Sequence, residues 1–425
     1  MKSTPIPQPS LPTSGVPVTS EQGSSYRWVI LAVAVLAQTT ASVVSQGIYI
    51  LVPFLQDAFH LTQAASALAV SAVNAGQVLT MLLMGWFIDK HGERSVVGMT
   101  MVAMGVAAVC ASAVSHYYAL LVALVLVGAS YASVQPGGTR AILRWFSSSQ
   151  RGMATGIRQA GLPLGTAMAA MLLPALALSQ GWQMALRAQA FVGIIGGIAF
   201  LVLYRGSETR ASGPATSPPN PIQLVRDVSA YKELWPVMLA GVAMVTFQYT
   251  FATHVLTFLM KRFGMTVVTA ALLYSVSQWV GIAGRIGLAW ISDHLWPNCR
   301  MRTLVVTMIT CVATTLTMIC LPQTTPPWVI ALLFIVVGVF GIGWYPLYLL
   351  QVAEMAPKAA MASTISFSMT LNMAAIAIVP PLFGLVVDMA GYSWAWCGLA
   401  AILTLAIVNL KRGSASAEAA RLARN

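Results

Sequence analysis

Acidic side chains are the scarcest chemistry in this chain. Asp and Glu number 11 against 23 Lys and Arg in 425 residues, and all charged types together make up 8%. A soluble domain carries roughly 25%, so water cannot cover this surface and lipid has to. Cysteines number 5, at Cys110, Cys299, Cys311, Cys320 and Cys397, with no paired spacing. Neither a disulfide framework nor a metal site is indicated. The sequence has no glycine-rich phosphate loop and no recognisable nucleophile–base pair. ATP-driven transport, enzymatic chemistry and a bound cofactor are therefore not expected.

What the chain has instead is apolar length. Hydrophobic residues make up 58%, and the mean hydropathy is +0.77. Twelve runs reach the ~20 residues that one bilayer crossing needs. In the first half they cover 28–54, 64–88, 95–114, 117–143, 152–178 and 183–204. In the second half they cover 235–260, 267–291, 302–321, 327–350, 359–388 and 392–411. Lipid satisfies no backbone group, so each run must be helical or part of a closed barrel. Barrel strands alternate and need only about 10 residues, so these are helices. The expected fold is an all-α membrane protein, with twelve transmembrane helices in two pseudo-symmetric six-helix bundles.

The intervening polar segments divide the chain. Residues 1–26 are rich in Pro, Ser, Thr and Gln and read as a disordered tail. The bundles are expected at 27–204 and 235–411, joined by a Pro-containing linker at 205–234 whose end, 227–234, could form a short interfacial helix. A charged, Ala-rich tail covers 412–425. The first apolar run is too long for a cleavable signal peptide and should remain as the first helix.

The formal charge of +12 could suggest nucleic acid, but its placement argues otherwise. With the N-terminus inside, only Arg187, Lys261 and Arg262 fall outside, and only Arg158 and Arg285 fall within spans. All the other Lys and Arg residues lie on the inner side. This is the positive-inside bias, and it puts both termini in the cytoplasm.

The two halves repeat one another. Gly85-Trp86-Phe87-Ile88-Asp89 ends the second span, and Ala289-Trp290-Ile291-Ser292-Asp293 ends the eighth. Met153-Ala154-Thr155 opens the fifth span, and Met361-Ala362-Ser363 opens the eleventh. Gly181-Trp182 precedes the sixth, and Gly391-Tyr392 precedes the twelfth. Such internal repeats are a mark of transporters built from two similar bundles. Asp89 stands at a helix end beside Lys90 and Arg94. A carboxylate there can latch two helices in one conformation and release them in another, or it can belong to a solvated turn that only orients the chain.

Gly85, Asp89, Lys90, Gly92 and Arg94 match the loop pattern G-x-x-x-D-[RK]-x-G-x-[RK] between helices two and three of the major facilitator superfamily, which the chain resembles over essentially its whole length. Glu93 stands where that family usually has a basic residue. In the second copy Ala289 replaces Gly and His294 follows Asp293. The resemblance implies alternating access and makes this loop a gating element, with Gly85, Asp89, Lys90, Arg94 and Asp293 as its residues. Trp145-Phe146-Ser147 and Arg151-Gly152-Met153-Ala154-Thr155-Gly156 are similar to the start of helix five in organic-anion branches. Leu124-Val125-Leu126-Val127-Gly128 lacks the Arg that many drug/proton antiporters carry in helix four.

A charge at bilayer depth costs roughly 2.5–3.5 kcal/mol and should face protein or a water-filled cavity. Arg158 lies about two turns into the fifth span and Arg285 about two turns from the inner end of the eighth. Arg285 shares its helix face with Gly281, Gln278 and Tyr274, and Arg suits bidentate capture of a carboxylate. Transporters of monocarboxylates and oxalate carry their substrate Arg at the matching place. Gly281 stands where some monocarboxylate transporters have an acid. Further substrate-binding candidates are Tyr49, Asn74, Tyr348 and Asn372, each on a polar face of its span. Each is equally open to a structural helix–helix role. No acid lies mid-membrane, so a carboxylate proton relay is missing. His254 in the seventh span could carry a proton, although its face also holds Phe247, Thr250 and Phe251, as a packed core histidine would.

The sequence therefore reads as a monomeric secondary active transporter, a symporter in the bacterial inner membrane. Its substrate is a small organic anion such as a monocarboxylate, and its coupling ion, H+ or Na+, stays open. Nucleic acid is not a partner. Efflux of lipophilic or cationic compounds is the alternative reading, weakened because a cation would want a membrane-embedded acid. A flux-free sensor would need a soluble output domain, and neither tail is long enough for one.

Overall fold

A computed structural model describes residues 25–147, 150–205, 231–295, 300–356 and 361–422. Most of the tail 1–26 and the linker 205–234 falls outside the described residues. Of the short helix expected at 227–234, only a single 3-10 turn, Lys232–Leu234, is described.

Among the described residues, twelve helices are long and apolar enough to cross a membrane. In the first half they are Arg27–Phe59, Gln63–His91, Glu93–Ser112, Tyr117–Trp145, Arg151–Gln180 and Trp182–Leu203. In the second half they are Trp235–Phe263, Val267–Leu295, Arg300–Cys320, Pro327–Met355, Met361–Ala390 and Tyr392–Leu422. The first helix runs five residues past the apolar run read from the sequence. It tolerates the internal Pro53 and ends at His60 in the left-handed region.

Two spans, the fourth and the tenth, are broken at corresponding places in the two halves. In the fourth, Tyr117–Tyr131 gives way to Val134–Trp145. Pro136 has no N–H to offer the carbonyl of Ala132, so the ladder opens there. In the tenth, Pro327–Val336 passes through a π-helical turn, Val337–Ile342, into Tyr345–Met355. Pro346 likewise leaves the Ile342 carbonyl without its usual donor. Paired interruptions of this kind commonly mark a binding site in transporters.

Small residues set how closely the helices approach, because lipid tails give no hydrophobic drive between them. A Cβ at Gly76 would come within 2.8 Å of the Ala129 nitrogen, and one at Gly128 would run into the Val73 carbonyl. The second and fourth spans therefore meet backbone to backbone. In the other half, a Cβ at Gly338 would lie 2.6 Å from the Ser277 oxygen and one at Gly284 would lie 2.7 Å from the Val339 oxygen. This glycine contact seats the eighth span against the π turn. The outward faces carry Leu79, Val122, Phe191, Ile286 and Leu405, all largely exposed, as a lipid-facing band requires.

The halves meet through the second and eleventh spans and through the fifth and eighth. The end of the molecule that carries Arg27 is called here the near end, and the opposite one the far end. At the far end the two halves are tied together. The backbone N–H groups of Gln63 and Ala64 donate to Asp388 Oδ1 and Oδ2, both at 2.9 Å, and the Tyr392 hydroxyl donates to Gln63 Oε1 at 2.9 Å. Gly384 makes this possible, since a Cβ there would lie 2.6 Å from the Gln63 oxygen.

Candidate functional site

Between the halves lies a cavity lined by the first, second, fourth and fifth spans on one side and the seventh, eighth, tenth and eleventh on the other. Its polar lining is mostly amide: Gln46, Asn74, Gln77, Gln135, Gln159 and Gln248. Tyr131, Tyr249 and Tyr345 add hydroxyls. Met81, Leu162, Val245, Met369, Met373 and Ile376 form an apolar wall. Arg285 is the charged member of this lining, which holds no Asp, Glu, Lys or His among the described residues.

Arg285 is 8% exposed. Its Nη1 donates to the backbone oxygen of Gln159 on the fifth span at 3.0 Å, across the boundary between halves. Its buried Nε has no hydrogen-bond partner among the described residues. A guanidinium has five N–H donors in a fixed fork, so most of this capacity remains for a ligand. Burial of a charge without a counter-charge is costly, and an anion arriving in the cavity relieves that cost.

Arg158 is placed differently. It is 1% exposed and stands one layer behind the cavity, inside the first half. Its Nη1 donates to Gln38 Oε1 at 2.9 Å, and its Nη2 donates to Gln135 Oε1 at 3.2 Å and to Thr139 Oγ1 at 3.4 Å. Gly138 leaves room for it, because a Cβ there would lie 2.8 Å from Arg158 Nη1. Arg158 and Arg285 thus reach the same region by different routes, one through amide side chains and the other directly.

Of the other residues singled out from the sequence, Asn74 lines the cavity. Tyr49 stands behind it, accepts a hydrogen bond from Asn74 Nδ2 at 2.9 Å, and packs 6.0 Å from the ring of Tyr249. Tyr274 and Gln278 are buried outside the lining. They share the face of Arg285 but sit eleven and seven residues away, about 16 and 10 Å along the helix. Tyr348 pairs with Ser368 and packs against Gly241, and it is Tyr345 that reaches the cavity. Asn372 is fully buried between the cavity-lining Met369 and Met373, and its amide makes no hydrogen bond among the described residues. His254 lies apart from the cavity, with Nε2 bonded to the Pro380 oxygen at 2.9 Å and its ring 4.8 Å from that of Phe383.

The near-end loop is built as a network within the first half. Asp89 pairs with Arg140 of the fourth span, not with its sequence neighbours. Lys90 Nζ lies 4.9 Å from the centre of the Trp86 ring. Arg94 Nε donates to the Leu201 oxygen at 2.7 Å. Gly92, at φ 81°, makes the turn, and Gly85 meets no neighbour on its Cβ side within 4 Å. The residue the sequence reading undervalued is Glu93, only 2% exposed. It lies 3.6 Å from Arg140 Nε and 3.4 Å from Arg144 Nη1, and it accepts from the Tyr204 hydroxyl at 2.9 Å. The i, i+4 spacing of Arg140 and Arg144 was the available signal. In the second half, Arg300 Nε donates to Glu354 Oε1 at 2.9 Å. The side chain of Asp293 lies outside the described residues.

Twelve spanning helices in two like halves around a central polar cavity define a membrane transporter fold. A family model for the Major Facilitator Superfamily matches residues 31–380, and the chain belongs to that superfamily. It is 27% identical over 395 residues to an uncharacterised MFS-type transporter of Mycobacterium tuberculosis (strain CDC 1551 / Oshkosh), covering 92% of this chain and 86% of that protein. It is 23% identical to a hexuronate transporter of Bacillus subtilis (strain 168), covering 85% of this chain and 89% of that one. Its fold is similar to that of a bacterial homologue of the human lysosomal transporter Spinster, with a TM-score of 0.74 at 15% identity over 92% of this chain and 97% of that one.

Proposed function

We propose that this protein is a secondary active transporter of a small organic anion with one carboxylate, working by alternating access, with Arg285 as the carboxylate-binding group. The observation that carries this reading is the position of Arg285. It is the charge in an otherwise neutral lining and, among the described residues, most of its donors are unused and its one protein bond reaches the opposite half. An anion held there touches both bundles, so binding is coupled to their relative position. Similarity to a hexuronate transporter supports an organic acid as cargo. The apolar wall also suits a lipophilic compound, but a cation would meet Arg285 with no carboxylate in the lining to offset it.

The near end is the cytoplasmic one in this reading, because it gathers the Lys and Arg excess. The far end then faces outward, and the Asp388 contacts hold it shut. The test is calorimetric binding of D-galacturonate and hexanoate to the purified protein and to Arg285→Ala and Arg285→Lys at matched folding. Arg285→Ala is expected to lose saturable binding and Arg285→Lys to weaken it about tenfold, since an ammonium cannot form the bidentate fork. Unchanged anion binding in Arg285→Ala overturns the reading and moves weight to efflux of lipophilic compounds.

A further inference from the structure

Side chains that only donate hydrogen bonds fix the orientation of any amide they touch. Arg and Trp have N–H groups and no acceptor, so a Gln bonded to either must present its oxygen. Two cavity-lining glutamines are held this way, one in each half. Gln135 Oε1 accepts from Arg158 Nη2 at 3.2 Å, and Gln248 Oε1 accepts from the indole Nε1 of Trp344 at 2.8 Å. Trp344 itself is fully buried behind the cavity. The Gln135 amide also reaches toward the Tyr131 hydroxyl, and the NH2 group of Gln248 has no hydrogen-bond partner among the described residues.

The same logic runs one bond further through Gln38. Its Oε1 accepts from Arg158 Nη1 at 2.9 Å, so its Nε2 is the atom that donates to the Tyr131 hydroxyl at 3.2 Å. The phenol oxygen of Tyr131 is thereby used as an acceptor, and its own hydrogen is left to donate. Asn74 is fixed the opposite way. Its Nδ2 donates to the Val70 carbonyl at 2.8 Å and to the Tyr49 hydroxyl at 2.9 Å. Both amide hydrogens are spent, and Oδ1 remains as an acceptor.

We infer that Arg158 and Trp344 are positioning residues that turn Gln135 and Gln248 into donors toward the cavity. The site therefore selects an acid whose carboxylate meets Arg285, whose other oxygens accept from Gln135, Gln248 and Tyr131, and which offers a hydroxyl hydrogen to Asn74. This inference rests on the anion reading above and adds to it that the cargo is a hydroxylated carboxylate, recognised by oriented amides in both halves. An amide free to rotate would accept or donate equally. Fixed as donors, the two glutamines favour acceptor oxygens and disfavour ligands that bring only N–H groups.

The test is a double-mutant cycle read by calorimetry with D-galacturonate as the hydroxylated probe and hexanoate as the plain one. Trp344→Phe keeps the ring and removes the N–H. It should weaken galacturonate binding about tenfold, the scale of one lost hydrogen bond, and leave hexanoate binding unchanged. In a Gln248→Leu background the same substitution should cost nothing further, because Trp344 acts through Gln248. For the other half, Arg158→Lys retains a donor-only group and should bind galacturonate within about threefold of wild type, whereas Arg158→Gln should lose about tenfold. Galacturonate binding that depends on Arg285, with Trp344→Phe equally costly in both backgrounds, overturns the orientation while leaving the anion reading intact. Wild-type protein that binds hexanoate through Arg285 but not galacturonate overturns it too. Binding of neither probe, or binding indifferent to Arg285, overturns both.

Discussion

At the scale of single residues, two charges in this protein look alike in sequence and differ in what surrounds them. Asp89 is 72% exposed in its pair with Arg140, and exposed pairs contribute ~0–1 kcal/mol. Glu93, four residues on, is buried against two arginines and a phenol. Removing one member of a fully buried pair costs ~3–5 kcal/mol. Arg140 and Arg144 keep some access to water, so about 2 kcal/mol is expected for Glu93→Ala. Asp89→Asn should hardly move the melting temperature. Thermal unfolding in detergent, followed by tryptophan fluorescence, separates the two. Equal destabilisation would mean that the network is held by Asp89 and not by Glu93. If Asp89→Asn slows flux in proteoliposomes while stability stays put, the loop acts in gating.

At the scale of elements, the helices are positioned by what is missing from their faces. The second and fourth spans touch at Gly76 and Gly128, where the obstacle to a side chain is backbone, which cannot rotate aside. Overpacking a core costs ~1–3 kcal/mol even when side chains can adjust. Gly128→Ala should therefore lower the yield of folded protein severalfold. Gly152→Ala, at a position with nothing within 4 Å, should leave it unchanged. Size-exclusion profiles of both variants at equal expression give the answer, and a normal profile for Gly128→Ala would show that the two spans can move apart at little cost. The interrupted fourth and tenth spans are also placement devices. Gly and Pro near their midpoints were visible in the sequence, but the π turn was not. Within the helix that follows it, Tyr345 reaches the cavity while Tyr348 packs beside Ser368, because three residues turn the helix by about 300° and leave the two rings on different sides.

At the scale of the whole molecule, the halves are held together most visibly at the far end. Asp388 accepts from the first two backbone N–H groups of the second span, where a helix N-terminus attracts negative charge. Such a cap is typically worth ~1 kcal/mol, up to ~2. Asp388→Asn keeps the shape and removes the charge, so the population open at the far end should rise about fivefold. Distances between spin labels on the far ends of the second and eleventh spans report this population directly. An unchanged distance distribution would assign the closure to packing at Gly384 alone. Phosphatase fusions at residue 220 and at the C-terminus should be inactive and fluorescent-protein fusions bright. Phosphatase activity at either place would invert the assignment of the near end.

The sequence alone determined the spans, their number and the two-fold repeat, because lipid offers no hydrogen bonds and each crossing must satisfy its own backbone within one continuous apolar run. It also singled out Arg285 and Asn74 as polar groups in apolar spans, since a group so costly to bury needs a reason. Tertiary structure decided which side of each helix meets the cavity and at what depth. Tyr274 and Gln278 share the face of Arg285 and still miss the cavity, which occupies only part of the length of the eighth span. Tertiary structure also decided that Arg158 sits behind the cavity bonded to Gln135 and that Trp344 is bonded to Gln248. Those contacts join residues 23 and 96 positions apart, and they depend on helix rotations set by glycine-to-backbone contacts that no local pattern encodes.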